Sequence, residues 1–214
     1  MSEKILPFNP LDKQSLGISV AEAMLSNGVY PLGRVPEFEG AGIYAIYYTG
    51  DFAAYQRLSE RNRNKRFAAP IYVGKAIPSG ARKGENIDGA PGRVLRKRLS
   101  EHAESIRQVK NLDIEDFHCR FLVVDDIWIP LAESLLIAKF SPVWNKLVDG
   151  FGNHDPGKGR YQGLCPRWDV LHPGRKWALK CRPRSEAQDD IHRDVQHHLE
   201  NLTPPESPHF KFGE

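Results

Sequence analysis

Three cysteines in 214 residues, odd in number and without a CxxC pair, give this chain no disulfide framework. Cys165, His172 and Cys181 match no standard zinc spacing, so the thiols are expected to be reduced, in a cytoplasmic protein. No apolar run approaches the length of a membrane span, and the opening MSEKILPFNP lacks the apolar core of a secretory signal. Neither membrane insertion nor export is therefore expected. No internal repeat is visible. GKGR at 157–160 does not have the spacing of a nucleotide-binding loop. Asn153-His154-Asp155 is followed by no second histidine-bearing signature, which argues against a histidine-centred nuclease.

What is present is ordinary in amount and unusual in distribution. Forty percent hydrophobic and 27% charged residues describe one globular domain with appended arms, long enough to bury a core. The formal net charge is only +3, but it is unevenly spread. From Arg57 to Lys110 there are 14 basic against 5 acidic residues, and from Lys158 to Arg184 there are 8 against 1. The remainder is strongly acidic. Two basic segments on an acidic chain suggest a face for a polyanion, and nucleic acid is the best fit.

The pattern implies a mixed α/β (α+β) chain. Residues 1–40 form an N-terminal arm with one helix, which Ser19 and Glu22 start as a capping box and Asn27-Gly28 end. A core follows at 41–146, with strands at 42–49, 70–76 and 117–124 and basic insertions at about 51–69 and 77–92. Alternation in the first strand puts Gly42, Tyr44, Ile46 and Tyr48 on one face. An amphipathic helix is expected from Pro91 or Arg93 to about Lys110 and another from Pro130 to Phe140. Residues 147–214 form an extension of Gly- and Pro-rich loops with room for a hairpin, then a polar helix and a loose tail.

The chemistry lies in an ordered set: Gly42-Ile43-Tyr44, Tyr72-Val73-Gly74, Arg98 and His102, Glu133, then Asn145. Hydrolysing a phosphodiester needs an oriented nucleophile, neutralisation of phosphate charge and help for the departing oxygen. Arg98 offers a fork of donors that matches phosphate. His102, four residues on, projects from the same helix face. A free phenol has a pKa of about 10, so Tyr44 or Tyr72 needs a nearby cation, Lys75 among the candidates, to act as a base. Glu133 is the hardest to read as packing. It shares an apolar stripe with Leu136, Ile137 and Phe140, where a carboxylate needs a partner or a metal.

This set resembles the GIY-YIG nuclease superfamily over roughly residues 42–145, with YVG as the second triplet. The resemblance implies an antiparallel three-stranded sheet flanked by helices. It also implies hydrolysis with one Mg²⁺ (Mn²⁺ as a substitute) and no lasting covalent intermediate. It makes Tyr44, Tyr72, Arg98, His102, Glu133 and Asn145 the catalytic set, with Glu133 the metal ligand, and leaves open which tyrosine is the base. The long inserts and the downstream GFGNHDPGKGRY and WDVLHPGR segments resemble type II restriction endonucleases that cut within CCGCGG. That branch implies a homodimer on palindromic double-stranded DNA, paired with a cognate DNA methyltransferase. Lys75, Arg61, Arg63, Lys65, Arg66, Arg82, Lys83, Lys158 and Arg160 are the expected DNA contacts. A repair or homing enzyme that nicks, and a DNA-binding module without chemistry, are the competing readings. The stretch SGARKGENIDGAPG lengthens the distance from Tyr72 to Arg98 beyond that of shorter family members.

Overall fold

Asp12 opens the first helix, α1 (Lys13–Ser26), by accepting from the backbone N–H groups of Gln14 and Ser15 at 3.0 and 3.2 Å. The computed structural model describes residues 12–78, 92–157, 159, 161–203, 205, 207, 209 and 210. The expected contacts Arg82, Lys83, Lys158 and Arg160 lie outside them. Ser19 is therefore inside α1, not its cap, because Asp12 supplies a cap seven residues earlier. Asn27 ends the helix as expected.

The sheet has four strands, not three. It contains β1 (Tyr30–Pro31), β2 (Gly42–Tyr48), β3 (Tyr72–Ala76) and β4 (Phe117–Val123) in the order β1-β4-β2-β3, all antiparallel. The additional strand is two residues long, and its proline is tolerated because it sits at a sheet edge. β2 is central and every one of its residues is buried, so the expected alternation separates two covered faces rather than core from solvent. Gly42 is needed at the mouth of β2, since a Cβ there would fall 1.9 Å from the Leu122 carbonyl oxygen of β4.

Helix α2 (Gln56–Asn62) occupies the first half of the basic insertion. Helix α3 (Val94–Arg107) covers the face that carries Tyr44 and Ile46, burying Leu95, Leu99, Ala103 and Ile106. Helix α4 (Ile129–Phe140) packs with α1 on the other face, its Ile129, Ala132 and Leu136 against Ile43, Ala45 and Val73. Ser141, in the left-handed region, and Pro142 stop α4.

The segment after α4 is built from short helices, α5 (Val143–Lys146) and α6 (Arg167–Leu171), with no hairpin among the described residues. A single parallel bridge joins Leu164 to Arg182. The last helix, α7 (Gln188–Asn201), is polar on one side only. Ile191, Val195 and Leu199 are fully buried in the cluster that holds Tyr44. Each such side chain contributes about 1.5–3 kcal/mol on burial, enough to fix the extension on the core. The tail is not loose where it is described: His209 Nδ1 lies 2.6 Å from Glu22, whose carboxylate also accepts from the Phe210 N–H.

Candidate active site

Register brings the two tyrosines to one face. Tyr44 stands opposite Gly74 and Ile46 opposite Tyr72, placing the phenol rings 6.2 Å apart. A Cβ on Gly74 would lie 2.4 Å from the Tyr44 hydroxyl, so the glycine of the second triplet is the space through which that phenol passes. The Tyr44 hydroxyl then meets Nε2 of His102 at 2.6 Å, with both side chains buried.

Burial sets the protonation of this pair. It raises the Tyr44 pKa well above the ordinary phenol value, with Tyr72 and Glu133 adding to the rise and Arg98 opposing it. It lowers the His102 pKa well below the ordinary imidazole value, helped by the positive charges of Arg98 and Arg175. Tyr44 is thus a neutral phenol beside a neutral imidazole. Tyr72 is half-buried, and its pKa is raised for the same first reason, desolvation. Arg98 and the Tyr44 hydroxyl lie close enough to the Tyr72 oxygen to favour its ionised form.

Arg98 turns from α3 toward a loop at 150–154. Its Nη2 donates to the Gly152 carbonyl at 2.8 Å, and its Nη1 lies 2.6 Å from His154 Nε2 and 3.3 Å from Glu101. Phe151 of the same loop stacks on the His102 ring at 4.5 Å and meets Tyr72 edge-on at 5.1 Å.

Glu133 comes from the layer beyond the sheet, and β3 is the strand it passes. Its carboxylate finds a partner there, Lys75 Nζ at 2.6 Å, and its charge acts on both phenols. The side chain is 16% exposed. The unexplained carboxylate of the apolar stripe thus has its partner in Lys75 of β3, the strand that also carries Tyr72. Lys75 is committed to Glu133 in this arrangement. Asn145 binds the main chain of β3. Its amide donates to the Val73 carbonyl and accepts from the Val73 N–H, each at 2.8 Å, which holds β3 in place.

Of the expected DNA contacts in the first insertion, Arg61 lies in α2, and Arg63, Lys65 and Arg66 lie between α2 and β3. Arg63 donates to the Thr49 and Gly50 carbonyls and pairs with Asp51. Arg66 donates to the Arg63 and Glu60 carbonyls. Lys65 is exposed in left-handed backbone, and Arg61 is half-buried. His172 bonds Tyr55 and Asn111, so it is not in a zinc site with Cys165 and Cys181. Among the described residues no group of three or more His, Cys, Asp or Glu could hold a metal. No helix among them is long and apolar enough to cross a membrane.

Phe151, Gly152, His154 and Arg175 belong to the site's surroundings and carry no periodic signal in the sequence. The GFGNHDP and WDVLHPGR segments, quoted for their resemblance, contain them.

No curated protein matches the chain. A protein-family model described as the Eco29kI GIY-YIG domain matches residues 36–199, a span that takes in every element from β2 to nearly the end of α7. A match over so much of the chain, on a site with two phenols, an arginine, a histidine and a carboxylate, places this protein in the Eco29kI GIY-YIG family of restriction endonucleases, nucleases that act on DNA.

Proposed function

We propose that this chain is a Mg²⁺-dependent, site-specific endonuclease that cuts both strands of a short palindromic DNA site, CCGCGG being the target its resemblance implies. One observation carries the reading: Tyr44, Tyr72 and His102 form one ring cluster beside Arg98 on one face of the sheet, and Glu133 is paired with Lys75 of the same strand as Tyr72. The donor set fits a magnesium-type ion, because Glu133 is a lone carboxylate and such an ion keeps most of its waters. Glu133 is the residue that would hold it, next to Lys75. When bound there, the ion would polarise the phosphate and steady the leaving oxygen.

The protein's own groups account for the remainder. Arg98 presents guanidinium donors to the non-bridging phosphate oxygens. The Tyr72 oxygen, beside Arg98, takes the proton of an attacking water, while the Tyr44 hydroxyl donates to Nε2 of the neutral His102 and holds the pair in place. Burial keeps that nitrogen unprotonated, so it remains the acceptor of the Tyr44 hydroxyl. Arg98 favours the ionised form of Tyr72, which is the form able to take that proton. Phe151 stacked on His102 keeps water from competing for the imidazole.

Two-fold DNA symmetry calls for a two-fold protein, so the working unit is a homodimer with one strand cut per protomer. A cognate methyltransferase would protect the host's own sites. The test is digestion of mixed-sequence plasmid DNA with Mg²⁺, followed by sequencing of the fragment ends. Discrete fragments ending within one palindrome support the proposal. Nicks alone point to a repair-type enzyme, and binding without cleavage to an inert module; either result rejects it.

A further inference from the structure

Arg175 is buried to 1% exposure, and all five of its N–H donors are used. Two go to Asp169, Nε to Oδ1 and Nη2 to Oδ2, each at 2.6 Å. The other three go to main-chain carbonyls of a single loop: Gly150 at 2.9 Å, Phe151 at 3.1 Å and Asn153 at 3.1 Å. The guanidinium plane is held between Trp168 at 4.4 Å and Trp177 at 4.8 Å. A buried ion pair is by itself weak evidence of anything beyond packing. Here, however, the carbonyls it gathers lie in the loop whose Gly152 oxygen and His154 ring receive Arg98.

The same segment is fixed to the helix that carries Arg98. The Lys110 N–H donates to the Pro173 carbonyl at 3.2 Å, just past the end of α3. A Cβ on Gly174 would fall 2.0 Å from the Gln108 carbonyl oxygen, so the backbone is pressed against that end. Residues 173–175 thus join α3 to the loop at 150–154. The loop has no slack on its inner side either: a Cβ on Gly152 would lie 2.9 Å from Arg98 Nη2 and 3.1 Å from the Tyr72 hydroxyl.

We infer that Arg175, paired with Asp169, is a positioning residue for the phosphate-binding arginine: it fixes the 150–154 loop against α3 and so sets the direction of the Arg98 guanidinium. This rests on the nuclease reading above and adds a residue that touches neither DNA nor metal. Lysine keeps the charge but cannot make a planar fork to three carbonyls and a carboxylate at once. A displacement of about 1 Å at a catalytic group costs on the order of 100-fold in rate.

The test compares full-length wild type, Arg175→Lys, Arg98→Lys and the double variant. We expect Arg175→Lys to lower kcat on the order of 100-fold with KM and DNA affinity unchanged, and the double variant to be no slower than Arg98→Lys alone. Multiplying losses in the double variant, or a fall in kcat that only tracks the folded fraction, would overturn the inference. If Arg175→Lys does not fold, Gly152→Ala tests the coupling from the loop side, and a normal kcat there refutes it. Rotation of the Arg98 guanidinium, followed by arginine side-chain ¹⁵N NMR, does not depend on activity. It is expected to be slow in wild type and fast in the variant that folds; no change between them defeats the inference. A wild type that cuts no DNA yet shows this NMR difference would instead count against the nuclease reading alone.

Discussion

Replacing Tyr44 by phenylalanine tests whether the phenol and imidazole at the centre of the site are a dry, mutually dependent pair. The ring and its packing stay, so the perturbation is one hydroxyl and the His102 nitrogen it leaves bare. The two atoms are 2.6 Å apart, and both residues are at most 1% exposed. A buried polar atom left without a partner costs about 1–3 kcal/mol. In a chain of this size each kcal/mol lowers Tm by roughly 2–4 °C. Removing both partners, as Tyr44→Phe with His102→Leu, leaves no bare atom and should recover most of that loss. Urea titration followed by tryptophan fluorescence reads this directly, since Trp144 and Trp168 lie in the same buried cluster. Cleavage should be lost in both variants while stability differs between them. Equal midpoints for wild type and Tyr44→Phe, or a double variant as unstable as the two single losses summed, would refute the reasoning.

Gly74→Ala drives a methyl into the Tyr44 hydroxyl and should destabilise by about 1–3 kcal/mol, with cleavage reduced; an unchanged urea midpoint would show that the strand can move aside. Glu133→Ala should abolish cleavage yet retain DNA binding in a metal-free gel-shift assay, and normal cutting would remove Glu133 from the metal site. Burial lowers the folded-state pKa of His102, and that of His172 to about 3. The unfolded chain binds protons on both near pH 6.5 that the folded chain refuses, so stability falls as pH drops below about 6.5. The slope approaches about 1.4 kcal/mol per pH unit for each histidine, continuing toward pH 3 for His172. Urea midpoints that do not change between pH 7 and pH 5 would contradict it.

The readable parts of this protein were those in which a residue type does local work. Gly42 and Gly74 mark places where no side chain fits, and Arg98 and His102 share a helix face through spacing alone. Glu133 was noticeable as a carboxylate on an apolar stripe, although its partner Lys75 comes from another element and has no counterpart in the helix pattern. The 150–154 loop was not legible, because it receives Arg98 and Arg175 mainly through main-chain carbonyls that every residue possesses. β1 is too short for any periodicity to register. The buried stripe of α7 was diluted by the acidic and histidine residues between Ile191, Val195 and Leu199.

β3 is the last strand of the sheet, and an outermost strand normally offers its free main-chain groups as a template for a foreign chain. The Asn145 amide takes both the donor and the acceptor of Val73, and the Trp144 N–H takes the Ile71 carbonyl. Two residues therefore imitate a neighbouring strand without being one. The middle of that outer border is therefore already paired from within the chain, by the main chain of Trp144 and the side chain of Asn145.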